Sequence, residues 1–180
     1  MYFALAVKYT LDMLGASLVA LRKNPRRNRL LFYCWDTTLL EKGTFMAGYS
    51  GTPLWKKLGY KAGMTVYVEA APAPYRAWLG LPEEVTVEWL DSPADKMQIA
   101  HLFVTEATVL KARLKAWRRQ IASGGMIWVS WPKKSSGRVT DITENLIREV
   151  ALPTGLVDIK VCAVDEVWSG LKLVIRKELR

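Results

Sequence analysis

After residue 54, apolar residues occur in continuous runs in some segments and alternate with polar residues in another. Continuous apolar runs predict strands buried on both faces, and strict alternation predicts one further strand. The predicted strands are Met64–Glu69, Val85–Leu90, Ile99–Thr105 and Met126–Trp131. Apolar residues at steps of three and four, from Leu110 to Ile121, predict a long helix over residues 106–122 that ends at Gly124 and Gly125.

In the C-terminal third of the chain, predicted helices and strands continue to follow one another. Capping residues at Thr140–Glu144 predict a helix that ends before Pro153. Val157–Val164 and Leu171–Arg176 then predict two strands joined by a hairpin-like connection. Because strands alternate with helices, the pattern predicts a single three-layer α/β Rossmann-like domain with a mostly parallel sheet and a C-terminal antiparallel hairpin.

The first 45 residues differ from the rest in how their apolar and charged residues are arranged. Lys8 and Asp12 interrupt the apolar stretch 1–21, which makes it a poor membrane span. The cationic run Arg22–Arg29 follows the apolar part, an order opposite to that of a secretory signal. Three interpretations stay open: an amphipathic helix that packs on the domain or on a membrane surface, a basic arm for an acidic partner, or sequence upstream of a true start at Met46. We favour the last, and therefore predict an atypical extension over residues 1–45 and a domain over 46–180.

Composition narrows the functional classes. The formal charge of +9 favours anionic partners without establishing nucleic-acid binding. Two cysteines far apart, Cys34 and Cys162, indicate free thiols and a cytoplasmic protein. The single histidine, His101, lies inside an apolar run, where a structural role is expected. We therefore predict no metal site and no catalytic histidine arrangement.

The segment after the first strand has the position of a cofactor loop. Glu69 ends the strand, at the edge where doubly wound folds bind nucleotide-type cofactors. Such loops use glycine for tight turns and close backbone approach. Here Ala71, Ala73 and Tyr75 take those places, interleaved with two prolines that have no N–H to donate. The pattern indicates a cofactor-binding fold whose loop carries side chains at the positions where glycine would let the cofactor approach.

The segment after Met126–Trp131 is the best candidate for an anion site. It carries three cations and two hydroxyl groups, and it leads into a helix N-terminus, which attracts negative charge. The candidate ligand-binding residues are Trp131, Lys133, Lys134, Ser135, Ser136 and Arg138. A solvated basic loop, with Trp131 packed in the sheet, is the alternative interpretation.

The order of helix, Gly-Gly, apolar strand, helix and terminal hairpin resembles the C-terminal half of class I methyltransferases, which bind S-adenosylmethionine. The resemblance covers about residues 54–177 in shortened form, with no strand-helix unit between Leu90 and Ile99. It implies a cofactor-binding role for Glu69 and contacts from Asp91 to the cofactor's ribose hydroxyls. The loop chemistry disfavours that cofactor, so we expect none.

Several blocks also resemble an uncharacterised bacterial family defined by a domain of unknown function. These blocks are Gly48–Leu54, Trp128–Lys134 and Val161–Lys172. The resemblance covers Met46–Arg180 and implies no activity.

The leading hypothesis is a cytoplasmic, non-catalytic or vestigial methyltransferase-like domain that binds an anionic small molecule or a protein partner. An active S-adenosylmethionine-dependent methyltransferase and a nucleic-acid-binding regulator remain the alternatives.

Overall fold

The computed structural model describes residues 51–180. Four α-helices and six strands follow one another in this part of the chain. The helices are α1 (Leu54–Leu58), α2 (Tyr75–Leu79), α3 (Ala107–Gln120) and α4 (Glu144–Ala151). The strands are β1 (Thr65–Glu69), β2 (Glu88–Leu90), β3 (Met97–Phe103), β4 (Ile121–Pro132), β5 (Leu156–Ala163) and β6 (Trp168–Ile175). Short 3-10 turns occupy Lys134–Ser136, Leu152–Thr154 and Lys177–Leu179.

The six strands form one mixed sheet in the order β2-β1-β3-β4-β6-β5. The first four strands are parallel, so their carboxyl ends lie at the same edge. β6 runs antiparallel to both β4 and β5. The predicted α/β class, with a mostly parallel sheet and a closing antiparallel hairpin, is confirmed.

Both faces of the sheet bury apolar side chains under helices. On one face, α3 contributes Leu110, Leu114 and Trp117, and α4 contributes Ile147. The three α3 residues recur at steps of four and three, and Ile147 and Ala151 of α4 are four apart, so each helix turns one stripe toward the sheet. The opposite face packs against α1 and α2 and carries most of the aromatic side chains. The result is the three-layer arrangement that the sequence pattern predicts.

The boundary between α3 and β4 differs from the prediction. α3 ends at Gln120, and Ile121 already adopts extended backbone and pairs with Met97 of β3. Gly124 and Gly125 therefore lie within β4 and do not end the helix. A Cβ atom at Gly125 would lie 2.9 Å from the Met97 carbonyl oxygen, so this close approach of two strands requires glycine.

β2 is shorter than its predicted range of 85–90. The backbone turns at Pro82, whose carbonyl accepts the Val85 N–H, and ladder pairing to β1 begins only at Glu88. β2 then leads to β3 with no intervening helix, which agrees with the predicted shortening between Leu90 and Ile99.

The predictions for residues 1–45, including a start at Met46, lie outside the described residues. Within residues 51–180, no helix has the length and apolarity needed to cross a membrane.

Candidate functional site

The carboxyl ends of β1 to β4 bring the predicted site residues to one edge of the sheet. Glu69 ends β1, and Asp91 directly follows β2, the neighbouring strand. The segment 133–138 leaves β4, two strands away from β1. The topology therefore gathers the two predicted cofactor-binding carboxylates at adjacent strand ends, and places the predicted anion loop at the same edge.

Both carboxylate oxygens of Glu69 have partners within the protein. Its Oε1 accepts a hydrogen bond from Arg113 Nε of α3 at 2.5 Å, and its Oε2 accepts from the Tyr67 hydroxyl at 3.1 Å. The Arg113 side chain is 45% exposed and that of Glu69 is 18% exposed, so water screens this ion pair in part. Burial, followed by the hydrogen bond to Glu69, raises the pKa of Tyr67 above its usual value, which keeps this phenol protonated and able to donate.

The loop after Glu69 is closed by its own backbone. Ala70 has a φ of 56°, the left-handed region that is costly for a residue with a Cβ atom. The Pro72 carbonyl accepts the Tyr75 N–H at 2.9 Å, and α2 begins at once. The Tyr75 ring turns inward and is 2% exposed. The residue that stands in the third glycine position is therefore part of the core.

Asp91 differs from Glu69 in having an exposed side chain. It follows Leu90, which pairs with Tyr67 of β1. Its carboxylate thus stands in solvent beside the end of β1. Its predicted role toward ribose hydroxyls stays a prediction.

The predicted anion loop is organised by two of its own polar side chains. Lys133 Nζ donates to the Asp165 carbonyl oxygen at 2.6 Å, and the Ser136 hydroxyl donates to the Lys133 carbonyl at 2.7 Å. The Asp165 carboxylate in turn accepts the backbone N–H groups of Val167 and Trp168 at the hairpin turn. Lys133, Ser136 and Asp165 thus fix the loop against the β5–β6 connection.

The other polar residues of this loop face solvent. Lys134, Ser135 and Arg138 are exposed. The Arg138 guanidinium lies over the buried Trp168 ring, 5.5 Å from its centroid, which holds this cation against the domain. Trp131 is 9% exposed and belongs to the core beneath α3 and α4. The cations available to a ligand here are therefore Lys134 and Arg138.

The N-terminus of α3 at the same edge is capped from another segment. The Ala107 N–H donates to Asp141 Oδ1 at 2.8 Å, and the Thr140 hydroxyl donates to the Thr105 carbonyl, also at 2.8 Å. A carboxylate therefore already stabilises the positive end of this helix.

A buried chain of hydrogen bonds crosses the opposite face of the sheet. The Tyr60 and Tyr75 hydroxyls are 2.8 Å apart, and Tyr75 contacts His101 Nδ1 at 2.7 Å. His101 Nε2 lies 2.7 Å from the Ser130 hydroxyl. Burial lowers the pKa of His101 to about 3, so the imidazole is neutral at physiological pH. His101 has the structural setting that its apolar run predicts.

Sequence reasoning missed the partners of these residues. Arg113 lies 44 positions from Glu69, and Tyr75 lies 26 positions from His101. The basic residues of α3 were visible in the sequence, but the one that meets Glu69 depends on the packing of the helix. Cys162 is a free, half-buried thiol, and Cys34 lies outside the described residues. Among the described residues, no group of histidine, cysteine and acidic side chains is placed to hold a metal ion.

Comparison with solved structures shows the fold. A protein described as a type 11 methyltransferase from Sulfolobus solfataricus matches with a TM-score of 0.50 and 13% identity, over 68% of this chain and 89% of that one. A SAM-dependent methyltransferase from Aquifex aeolicus matches with a TM-score of 0.48 and 14% identity, over 67% and 87% of the two chains. LepI, in complex with SAM, matches with a TM-score of 0.42 and 13% identity over 69% of this chain. The match spans only 47% of the LepI chain.

No protein-family model matches the chain, and no curated protein matches its sequence. The chain has a methyltransferase-like fold, as the sequence resemblance implies, and matches no characterised family.

Proposed function

We propose that residues 51–180 form a methyltransferase-like domain that does not transfer methyl groups. The observation that carries this proposal is the engagement of Glu69, whose two oxygens each accept a hydrogen bond, one from Arg113 and one from Tyr67. A cofactor hydroxyl or amine that bound this carboxylate would have to share its oxygens with both partners, since one lone pair remains on each oxygen.

The loop beyond Glu69 adds a second reason. Nucleotide-type cofactors bind loops through close backbone approach and through donated N–H groups. Pro72 and Pro74 have no N–H, and that of Tyr75 is already donated to the Pro72 carbonyl. The Cβ atoms of Ala71 and Ala73 leave less room for a cofactor to approach the loop backbone than glycine would.

The domain instead binds an anionic ligand or a protein partner, in this proposal through Lys134 and Arg138 with the basic face of α3. Lys133 and Ser136 hold the loop in one conformation, so little ordering entropy is lost on binding. Lys111 and Lys115 extend the exposed positive charge along α3. The free thiol of Cys162 fits the cytoplasm as the place of action.

Calorimetric titration with ATP tests the loop. A Lys134→Ala/Arg138→Ala variant should lose about tenfold or more in ATP affinity, because each charge-assisted hydrogen bond to phosphate contributes on that scale. Lys133 is left unchanged because its amine supports the loop. An Arg176→Ala/Lys177→Ala variant removes the same two residue types at the opposite end of the sheet and should bind as the wild type does. Equal affinity in the loop variant and the wild type would remove this loop from the proposal.

An active methyltransferase is the second candidate. The placement of Glu69 and Asp91 at adjacent parallel strand ends favours it, since the resemblance to class I methyltransferases implies cofactor contacts from both positions.

A further inference from the structure

Three lysines from separate segments meet on the sheet face that carries α1. Lys160 of β5 and Lys172 of β6 are directly opposite each other in the antiparallel register. Opposed residues of an antiparallel pair have side chains on the same face, with Cβ atoms about 5 Å apart. Two lysine side chains therefore leave the hairpin side by side on one face.

The third lysine reaches this place because α1 is fixed above the sheet. Trp128 Nε1 donates a hydrogen bond to the Leu58 carbonyl oxygen at 2.9 Å, which holds the end of α1 over β4. Gly59 then turns the chain with a φ of 83°. A Cβ atom at Gly59 would lie 3.9 Å from Lys172 Nζ, so the turn passes close to the ammonium group. Lys61 follows two residues later.

The positive charges of Lys160 and Lys61 act against the charged form of Lys172. Burial and then the neighbouring charges of Lys160 and Lys61 lower the pKa of Lys172. Within residues 51–180, none of the three lysines forms an ion pair. Like charges in direct cross-strand contact destabilise a hairpin. The fold thus keeps an electrostatically unfavourable arrangement that a bound anion would relieve.

The Trp128 indole lies beneath the Lys160 ammonium group. Lys160 Nζ lies 5.9 Å from the centroid of the Trp128 ring, whose residue is fully buried. The nearby Cys162 thiol is half-buried, and burial raises its pKa, so it adds no negative charge to the cluster. The three lysines come from one turn and one pair of opposed strand residues, which suits one or two phosphate groups better than an extended polymer.

We infer that Lys61, Lys160 and Lys172 form a binding site for the phosphate groups of a small multivalent anion. This site is distinct from the strand-end loop. Lys172 is opposite Trp128 of β4, and Trp128 is opposite His101, so the cluster lies midway along the strands and not at their carboxyl ends.

Calorimetric titration of the full chain with inorganic pyrophosphate tests this inference. The titration uses the Lys134→Ala/Arg138→Ala background, so the strand-end loop cannot contribute. Adding Lys160→Gln/Lys172→Gln should weaken pyrophosphate binding by about tenfold or more, since two charge-assisted contacts are lost. Adding Arg176→Gln/Lys177→Gln, which removes the same net charge elsewhere, should leave the affinity unchanged.

Thermal melts at low ionic strength, with and without pyrophosphate, give a second readout. Lys160→Gln should raise the midpoint without pyrophosphate and reduce the increase that pyrophosphate produces. Equal pyrophosphate affinity with and without Lys160 and Lys172 would overturn the inference. Binding of a single-stranded oligonucleotide through these lysines, with no binding of pyrophosphate, would also overturn it, because the ligand would then be a polymer.

Discussion

Tyr60, Tyr75, His101 and Ser130 show how single polar residues tie the layers of this domain together. The neutral imidazole has one donor and one acceptor nitrogen, and both neighbouring hydroxyls can serve either role, so each ring nitrogen is satisfied. Removing one partner would leave a buried polar group unpaired, at a cost of about 1–3 kcal/mol. This row of hydrogen bonds therefore fixes α2 against β3 and β4 while His101 stays uncharged.

Because of His101, we expect the free energy of unfolding to fall as the pH becomes mildly acidic. Its pKa is near 6.5 in the unfolded chain and about 3 in the folded protein, because burial disfavours the cation. Below pH 6.5 the unfolded state takes up a proton that the folded state does not, so stability present above that pH is lost as the pH falls. This histidine alone should lower the free energy of unfolding by about 2 kcal/mol between pH 7 and pH 5. Urea unfolding at a series of pH values measures the slope.

A His101→Gln variant is the matched comparison, because glutamine can donate and accept but does not titrate. His101 is the only histidine of the chain, so the variant should lose most of the slope between pH 5 and pH 7. An unchanged slope would contradict the assignment of this pH dependence to His101.

At the scale of elements, the sequence predicts what local periodicity controls. The run Ile99–Thr105 and the α3 stripe from Leu110 to Trp117 were found close to their predicted places, because burial on one or both faces dictates their pattern. The predicted start of β4 at Met126 was wrong. Ile121 is already extended because it pairs with Met97, and the local sequence gives no signal of that contact. Long-range pairing thus decided the boundary that local pattern could not.

Asp141 connects two elements through the cap it gives to α3. Asp141→Ala removes the acceptor of the Ala107 N–H and should lower the free energy of unfolding by about 1 kcal/mol. Asp141→Asn keeps an acceptor oxygen and should retain most of that stability. Glu149→Ala, an exposed acid on α4, is the control in urea unfolding. If Asp141→Ala unfolds at the same urea concentration as the control variant, the cap contributes nothing.

For the whole molecule, the strand order predicts where a site lies but not which residues remain available in it. Parallel strands with a common carboxyl edge bring Glu69, Asp91 and the loop after β4 together, as expected from the sequence. The engagement of Glu69 by Arg113 and of Lys133 by Asp165 follows from side-chain geometry across 44 and 32 positions. Residue type and local spacing carry no information about contacts at such separations.

Thermal unfolding in the presence of S-adenosylmethionine measures directly whether this fold still accepts that cofactor. At about 1 mM, a ligand with a dissociation constant near 10 μM stabilises the folded state by about 2.7 kcal/mol, which is about 5–10 °C in the midpoint. We predict no increase for the wild type, nor for Arg113→Gln, in which Glu69 loses its ion pair but Pro72 and Pro74 remain. A clear increase in the wild-type midpoint, abolished by Glu69→Gln, would contradict the central claim.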